Sequence, residues 1–234
     1  MTLFKSIVTA FCVSSAFLAP PLAAQTTGNT TETTTGTSIQ INPLTVKGLV
    51  VGKRMSIGAD FAAEHNIAVP IPFSFTIPTD RTKTIRVEPA PGGSGIYKVN
   101  FATDDVKLKS SLQLVPITIP TGDDAARKQN LAKIANQAFA ASVPDLDKAQ
   151  IDVVRQTEIG PYLAIEALGR YDGGADGVVA LRVVAIVGPD SAHGLVGIIN
   201  ALPKNAGMSK VGDILGVDGS RALGTLRFDW SETN

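Results

Sequence analysis

Two apolar runs, Tyr162 to Tyr171 and Val178 to Val187, are joined by Asp172-Gly173-Gly174-Ala175-Asp176-Gly177. A glycine-rich link of this length between strand-like runs is a hairpin connection. Centring the loop on Gly174 pairs Ile165 with Val183 and Leu163 with Ala185 on one face. The other face then pairs Ala164 with Val184, Tyr162 with Ile186, and Glu166 with Arg182. Both faces are largely apolar. Such strands belong in the interior of a sheet with cover on each side.

The remaining pattern supplies neighbours and cover. Ile71, Phe73, Phe75 and Ile77 alternate with Pro72, Ser74, Thr76 and Pro78, a period-two strand whose prolines lack ladder donors and so place it at an edge or a strand start. Ile85-Arg86-Val87, then Tyr97, Val99 and Phe101, then Leu112 to Ile119 read as further strands, with a turn from Pro89 through Gly95. The period then changes. Leu131, Ile134, Ala135, Ala138 and Phe139 recur at helical spacing, with Arg127, Lys128, Asn130 and Lys133 facing away. Thr121 or Asp123 can cap this helix, which spans about Asp123 to Ser142 before Pro144. Ile151 to Thr157 and Leu195 to Leu202 are strands, Ser209 caps a short helix with Val211, Ile214 and Leu215 inward, and Ala222 to Phe228 is a last strand. Consecutive strands interrupted by few helices define an α+β fold: a largely antiparallel sheet covered by one long and one or more short helices.

The N-terminus has the three parts of an export signal. Lys5 supplies the positive charge, Ile7 through Leu18 an uncharged apolar stretch, and Leu22-Ala23-Ala24 small residues for cleavage after Ala24. A spanning helix needs roughly 20 apolar residues, and this run is shorter and ends at Pro20-Pro21. A lipid anchor on Cys12 is disfavoured because it lies within the apolar stretch behind Phe11. Residues 1–24 are therefore read as a signal peptide, 25–38 as a threonine-rich disordered spacer, and 39–234 as a single α+β domain. Asn29-Thr30-Thr31 matches a glycosylation acceptor only as a chance triplet in that spacer.

Cleavage changes the composition in ways that narrow function. It removes Lys5 and Cys12, leaving 20 basic against 21 acidic side chains and no cysteine. A near-neutral chain has no long-range field to draw nucleic acid or an acidic membrane. Without cysteine there is no disulfide, thiolate nucleophile or sulfur ligand, and the two histidines, His65 and His193, are too few for a transition-metal site. Asp172 and Asp176 fall short of a calcium loop, and Gly92-Gly93-Ser94-Gly95 lacks the helix and lysine of a phosphate loop. No cofactor is expected.

Three residues stand out as binding candidates: Arg182, Glu166 and His193. Arg182 as an anion-binding residue competes with a cross-strand ion pair to Glu166, and the pair is favoured because a lone buried charge is costly. His193 follows Asp190 and Ser191 on a Gly/Pro turn, but members of a catalytic triad converge from separate segments, so the turn reading is favoured. No catalytic residue is assigned. The polar tail Asp229 to Asn234 is expected to pack Trp230 against the domain.

The opening Phe73-Ser74-Phe75-Thr76-Ile77-Pro78, the long helix and the strands Tyr162–Tyr171 and Val178–Val187 follow an order, over about Pro70 to Ile199, that resembles the PsbP-like α/β/α sandwich. That group includes extrinsic photosystem subunits and small periplasmic proteins. The resemblance implies a protein-docking or accessory module and carries over no functional residue. The leading expectation is a non-catalytic periplasmic or secreted module that binds another envelope protein or a small ligand. The alternatives are a periplasmic hydrolase or transferase using His193, and a structural envelope protein. Neither a nucleic-acid partner nor a stable membrane anchor is expected.

Overall fold

The two apolar runs form β7 (Tyr162–Asp172) and β8 (Val178–Val187), paired antiparallel. They lie between β6 (Ala149–Ile159) and β9 (His193–Ala201). With β3 (Thr82–Pro89), β4 (Gly95–Ala102) and β5 (Leu108–Thr118) they build a seven-stranded sheet of order β3-β4-β5-β9-β8-β7-β6. Every pairing in it is antiparallel. This computed structural model describes residues 52–78, 82–89, 95–103, 105, 107–120, 122–188 and 191–229. The leader, the spacer, the turn at 90–94 and the Trp230 tail lie outside the described residues.

The hairpin register differs from expectation by two residues. Glu166 stands opposite Val184, Ile165 opposite Ala185 and Ala164 opposite Ile186, while Arg182 faces Leu168. The loop is centred on Ala175 because a 3-10 turn, Gly174–Asp176, is closed by the Gly173 N–H donating to Gly177 O at 2.7 Å. A slip of two leaves every side chain on its expected face, since strands alternate with period two. The faces were legible; the partners were not.

After β5 the chain crosses the sheet through α2 (Asp124–Ser142) to the far edge strand β6, then meanders back through β7 and β8 to β9, beside β5. A helix of that length rises about 28 Å, enough to span the roughly 19 Å of four strand spacings between β5 and β6. Asp123 caps it, its Oδ1 accepting the Ala126 N–H at 2.8 Å. Leu131, Ala135 and Phe139 are buried against Ile165, Ala167, Leu181, Val183 and Ala185 of the sheet. Arg127, expected to face away, lies on the same buried stripe. Its guanidinium donates to Gly188 O at 2.7 Å and Ser191 O at 3.1 Å, which satisfies its charge with loop carbonyls.

The opposite face is covered by a second sheet of β1 (Gly52–Ile57), β2 (Phe73–Pro78) and β10 (Arg227–Phe228), in the order β1-β2-β10. The strand expected at an edge or a strand start is thus the middle one of this sheet. Its prolines do not interrupt it, because Pro72 precedes the strand and Pro78 is its last residue. Phe73, Phe75 and Ile77 join Tyr97, Val99, Phe101, Leu112 and Leu114 in one core. Short helices α1 (Ala59–His65), α3 (Pro203–Ala206) and α4 (Asp218–Leu223) complete the cover.

Two C-terminal expectations change. The last strand shrinks to Arg227–Phe228 because Ala222 and Leu223 end α4. The helix expected from Ser209 is a 3-10 turn, Val211–Gly216, with Ile214 buried and Leu215 half-exposed. Ser209 is not its cap: the Asp213 carboxylate accepts the N–H groups of Ser209 at 2.8 Å and Lys210 at 3.0 Å, and these bonds hold its pKa below the usual carboxylate value. The architecture remains α+β, a largely antiparallel sheet with one long and several short helices.

Tyr97 shows how deeply this second core buries an ionisable group. Its ring lies 5.7 Å from Phe61 and 5.3 Å from Phe73, its hydroxyl has no hydrogen-bond partner, and burial pushes its pKa from 10.0 to about 12. The folded state favours the neutral phenol, so its contribution is intact below pH 10.0 and is lost as pH rises toward about 12. Tyrosinate absorbance in a pH titration should show a late step that Tyr97→Phe removes. Full ionisation near pH 10 in the folded protein would contradict this packing.

Candidate functional site

Glu166 is fully buried on β7, on the sheet face opposite α2, and is held between two arginines. Arg182 on β8 donates from Nε to Oε2 at 2.8 Å, and its Nη2 lies 2.8 Å from the same oxygen. Arg155 on β6 donates from Nε to Oε1 at 2.6 Å. The expected Arg182–Glu166 ion pair is present, although it runs diagonally across the ladder. Arg155 was missed; only the structure sets it directly opposite Glu166. Burial pushes the Arg182 guanidinium down from its usual pKa, and the Glu166 carboxylate opposes that shift. Both carboxylate oxygens are used, so the trio makes a satisfied strut across three strands.

His193 opens β9 opposite Thr118. Its Nδ1 lies 3.3 Å from Thr118 Oγ1, and its backbone N–H donates to Ser191 Oγ at 3.0 Å. The Ser191 hydroxyl therefore faces the main chain of His193, and no described carboxylate bonds the ring. Asp190 lies outside the described residues. Asp172 Oδ1 accepts the Gly174 N–H at 2.8 Å, a turn contact within its own loop. His65 stacks on Phe61 with ring centroids 4.1 Å apart. Among the described residues no three His, Cys, Asp or Glu side chains gather as a metal site.

A cavity of about 290 Å³ opens elsewhere, between β5, α3, the 3-10 turn and α4. Its lining includes Lys109, Ser110, Met208, Asp213, Asp218 and Arg221. Three local features build it. The β4–β5 ladder skips from Phe101↔Ser110 to Ala102↔Leu108, so Lys109 is the extra residue of a bulge, a device that re-aims a side chain. The Leu202 N–H bonds Lys109 O at 2.9 Å and Asn205 Nδ2 bonds Leu108 O at 2.7 Å, holding α3 beside the bulge. Gly219 brings α4 close, since a Cβ there would meet Ser111 O at 3.2 Å.

Lys109 and Arg221 both face Asp218 across this cavity. Asp218 is buried, yet Lys109 Nζ stays 4.0 Å from its Oδ2 and Arg221 Nη1 3.6 Å from its Oδ1. Both separations exceed a hydrogen bond. Ser110 is 1% exposed and its hydroxyl has no partner; the hydroxyl of Ser220, two residues after Asp218, has none either. Buried hydroxyls are ordinarily satisfied. None of these residues was singled out from the sequence, because β5 and residues 202–221 meet only through the fold.

The sheet edge offers a poorer surface. Leu146, Ile151 and Val154 are exposed at and beside β6, but the strand carries a bulge between Ile151 and Val153 and charges at Asp152, Arg155 and Glu158. Bulges and charges guard an edge against added strands. No described helix is long and apolar enough to cross a membrane.

The geometry defines an α+β class, a seven-stranded antiparallel sheet with α2 on one face and a three-stranded sheet on the other. No protein-family model and no curated protein matches the chain. Solved structures do. A protein from Bacteroides thetaiotaomicron VPI-5482 matches 77% of this chain at 13% identity and TM-score 0.39; this chain spans only 50% of that one. LpqN of Mycobacterium tuberculosis, involved in cell envelope biogenesis, matches 75% of this chain and 90% of its own at 12% identity and TM-score 0.44. The cyanobacterial PsbP of Synechocystis sp. PCC 6803 matches 78% and 96% respectively at 10% identity and TM-score 0.45. With every TM-score below 0.5, neither a fold family nor a residue role passes from them to this chain.

Proposed function

We propose that this chain is an exported, non-catalytic accessory module of the cell envelope, resident in the periplasm, that binds a small ligand in the cavity beside β5. Export rests on the leader read from residues 1–24. One observation carries the binding reading. The most conspicuous polar cluster, Arg155–Glu166–Arg182, spends its groups on itself, whereas the cavity is lined by Lys109 and Arg221, which meet Asp218 only at 4.0 and 3.6 Å. Binding asks for unmet donors in a concave site. Catalysis asks in addition for a nucleophile and a base in mutual reach, and at His193 the described partners are Thr118 and the Ser191 loop.

The test is native mass spectrometry of protein gently released from its own cells. A co-purifying small mass should accompany the protein and be lost from Ala206→Trp, which fills the half-buried wall of the cavity. A bare protein mass, or an adduct indifferent to that substitution, would remove the cavity from the account.

A further inference from the structure

Resting on that binding reading, the charge balance of the cavity narrows the ligand. Four charged side chains line it, Lys109, Asp213, Asp218 and Arg221, and their charges sum to zero. Asp218 stands against both cations, 4.0 Å from Lys109 Nζ and 3.6 Å from Arg221 Nη1, so a ligand anion finds the place between them already filled. A ligand cation would share the wall with both of those positive charges. An ion of either sign thus loses hydration without a net field to offset the loss. The groups still open are of both hydrogen-bonding kinds. Asp213 is half-exposed; its Oδ2 accepts the N–H groups of Ser209 and Lys210, and no described group bonds its Oδ1. Those two bonds lower its pKa, so the open oxygen belongs to an ionised carboxylate. The Lys109 side chain is 25% exposed and carries three N–H donors, and its contact with Asp218 is longer than a hydrogen bond. A hydroxyl can donate to the first and accept from the second while carrying no charge. Ala206, Met208 and Val217 supply apolar lining for C–H groups. The volume, about 290 Å³, is at the low end of the roughly 300–1,000 Å³ typical of ligand pockets. It suits a molecule of monosaccharide size and not a polymer.

We infer that the cavity takes a small neutral polyol of monosaccharide size. One ligand hydroxyl donates to Asp213 Oδ1, another accepts from Lys109 Nζ on the side turned from Asp218, and ligand C–H groups lie on Met208 and Val217. Hydrogen bonds to charged groups are the stronger kind, so these two carry most of the selectivity. Recognition leaves the pairing of Asp218 with its two cations untouched.

NMR titration of the purified protein with D-glucose, D-galactose, anionic D-glucuronate and cationic D-glucosamine tests this. At least one neutral hexose should shift the amide signals of Lys109, Met208 and Asp213 with millimolar affinity or better. Both charged sugars should bind about tenfold more weakly or not at all. Lys109→Met, which removes the donors and keeps most of the side-chain length, should weaken the hexose about tenfold. Asp213→Asn should do the same, because its one oxygen stays with Ser209 and Lys210 and an amide donor stands where the open acceptor was. Lys109 is a partly exposed bulge residue, so Lys109→Met remains informative if Asp213→Asn misfolds. Binding of neither hexose, a charged sugar held as tightly as the neutral ones, or full affinity in the Lys109 variant overturns the inference. If no sugar binds while the mass sensitive to Ala206→Trp persists, the ligand class falls and the binding module stands; if both fail, both fall.

Discussion

Glu166→Ala should lower stability by about 3–5 kcal/mol, because removing one member of a buried ion pair leaves its partner charged and unmatched. For a domain of this size that corresponds to a fall in Tm of roughly 6–20 °C. The effect is directional within the trio. Arg182 has a side chain only 7% exposed and cannot find water, whereas Arg155, at 31%, can turn outward. Arg155→Ala should accordingly cost about 1 kcal/mol, nearer the value of a surface pair. Replacing both deep members, Glu166→Leu with Arg182→Met, should recover most of the loss, since apolar residues of similar volume often equal a buried pair. Urea unfolding of the four proteins checks all of this. A loss below about 1 kcal/mol for Glu166→Ala would mean that water reaches the cluster, and the strut would have to be reconsidered as a site.

This trio also shows what a single sequence can and cannot reveal. That Glu166 and Arg182 share a face followed from strand periodicity, and it survived a wrong loop centre because the slip was two residues. Arg155 was invisible for a different reason. Its strand carries polar or charged residues at Gln150, Asp152, Gln156 and Glu158, and nothing local says which of its charges points inward. Arg127 failed similarly. At a helix position four residues before Leu131 a cation is ordinarily assigned to solvent, and the carbonyls that bury it belong to Gly188 and Ser191, more than sixty residues later. The cavity is the extreme case. Lys109 is aimed by a bulge, and Asp218 and Arg221 by a six-residue helix with too few turns to show a period. Long, strongly periodic elements such as β7, β8 and α2 were readable from local pattern. Short elements are stabilised by the contacts they make, and those contacts were not in the pattern.

Gly169→Ala is expected to be the most damaging single methyl addition on the long sheet. Gly169 lies in β7 opposite Ile151, where β6 bulges, and α2 lays Phe139 over the same point. A Cβ at this position would come 2.1 Å from Gln150 O and 2.8 Å from Phe139 Cζ. The first contact is with backbone, which cannot rotate away, so β6 must shift or the bulge must open. Overpacking of this kind costs about 1–3 kcal/mol, occasionally more, and the rigid carbonyl places this site at the upper end. Gly216→Ala is the control: a Cβ there meets nothing within 4 Å, and its effect should stay within about 0.5 kcal/mol. Trimming the ring by Phe139→Leu separates the two contacts. If Phe139 were the main obstacle, the double variant would recover the loss caused by the methyl; the carbonyl predicts that most of it persists. Denaturant midpoints for the four proteins decide between these outcomes, and a Gly169→Ala protein as stable as the Gly216→Ala control would show that β6 yields easily at its bulge.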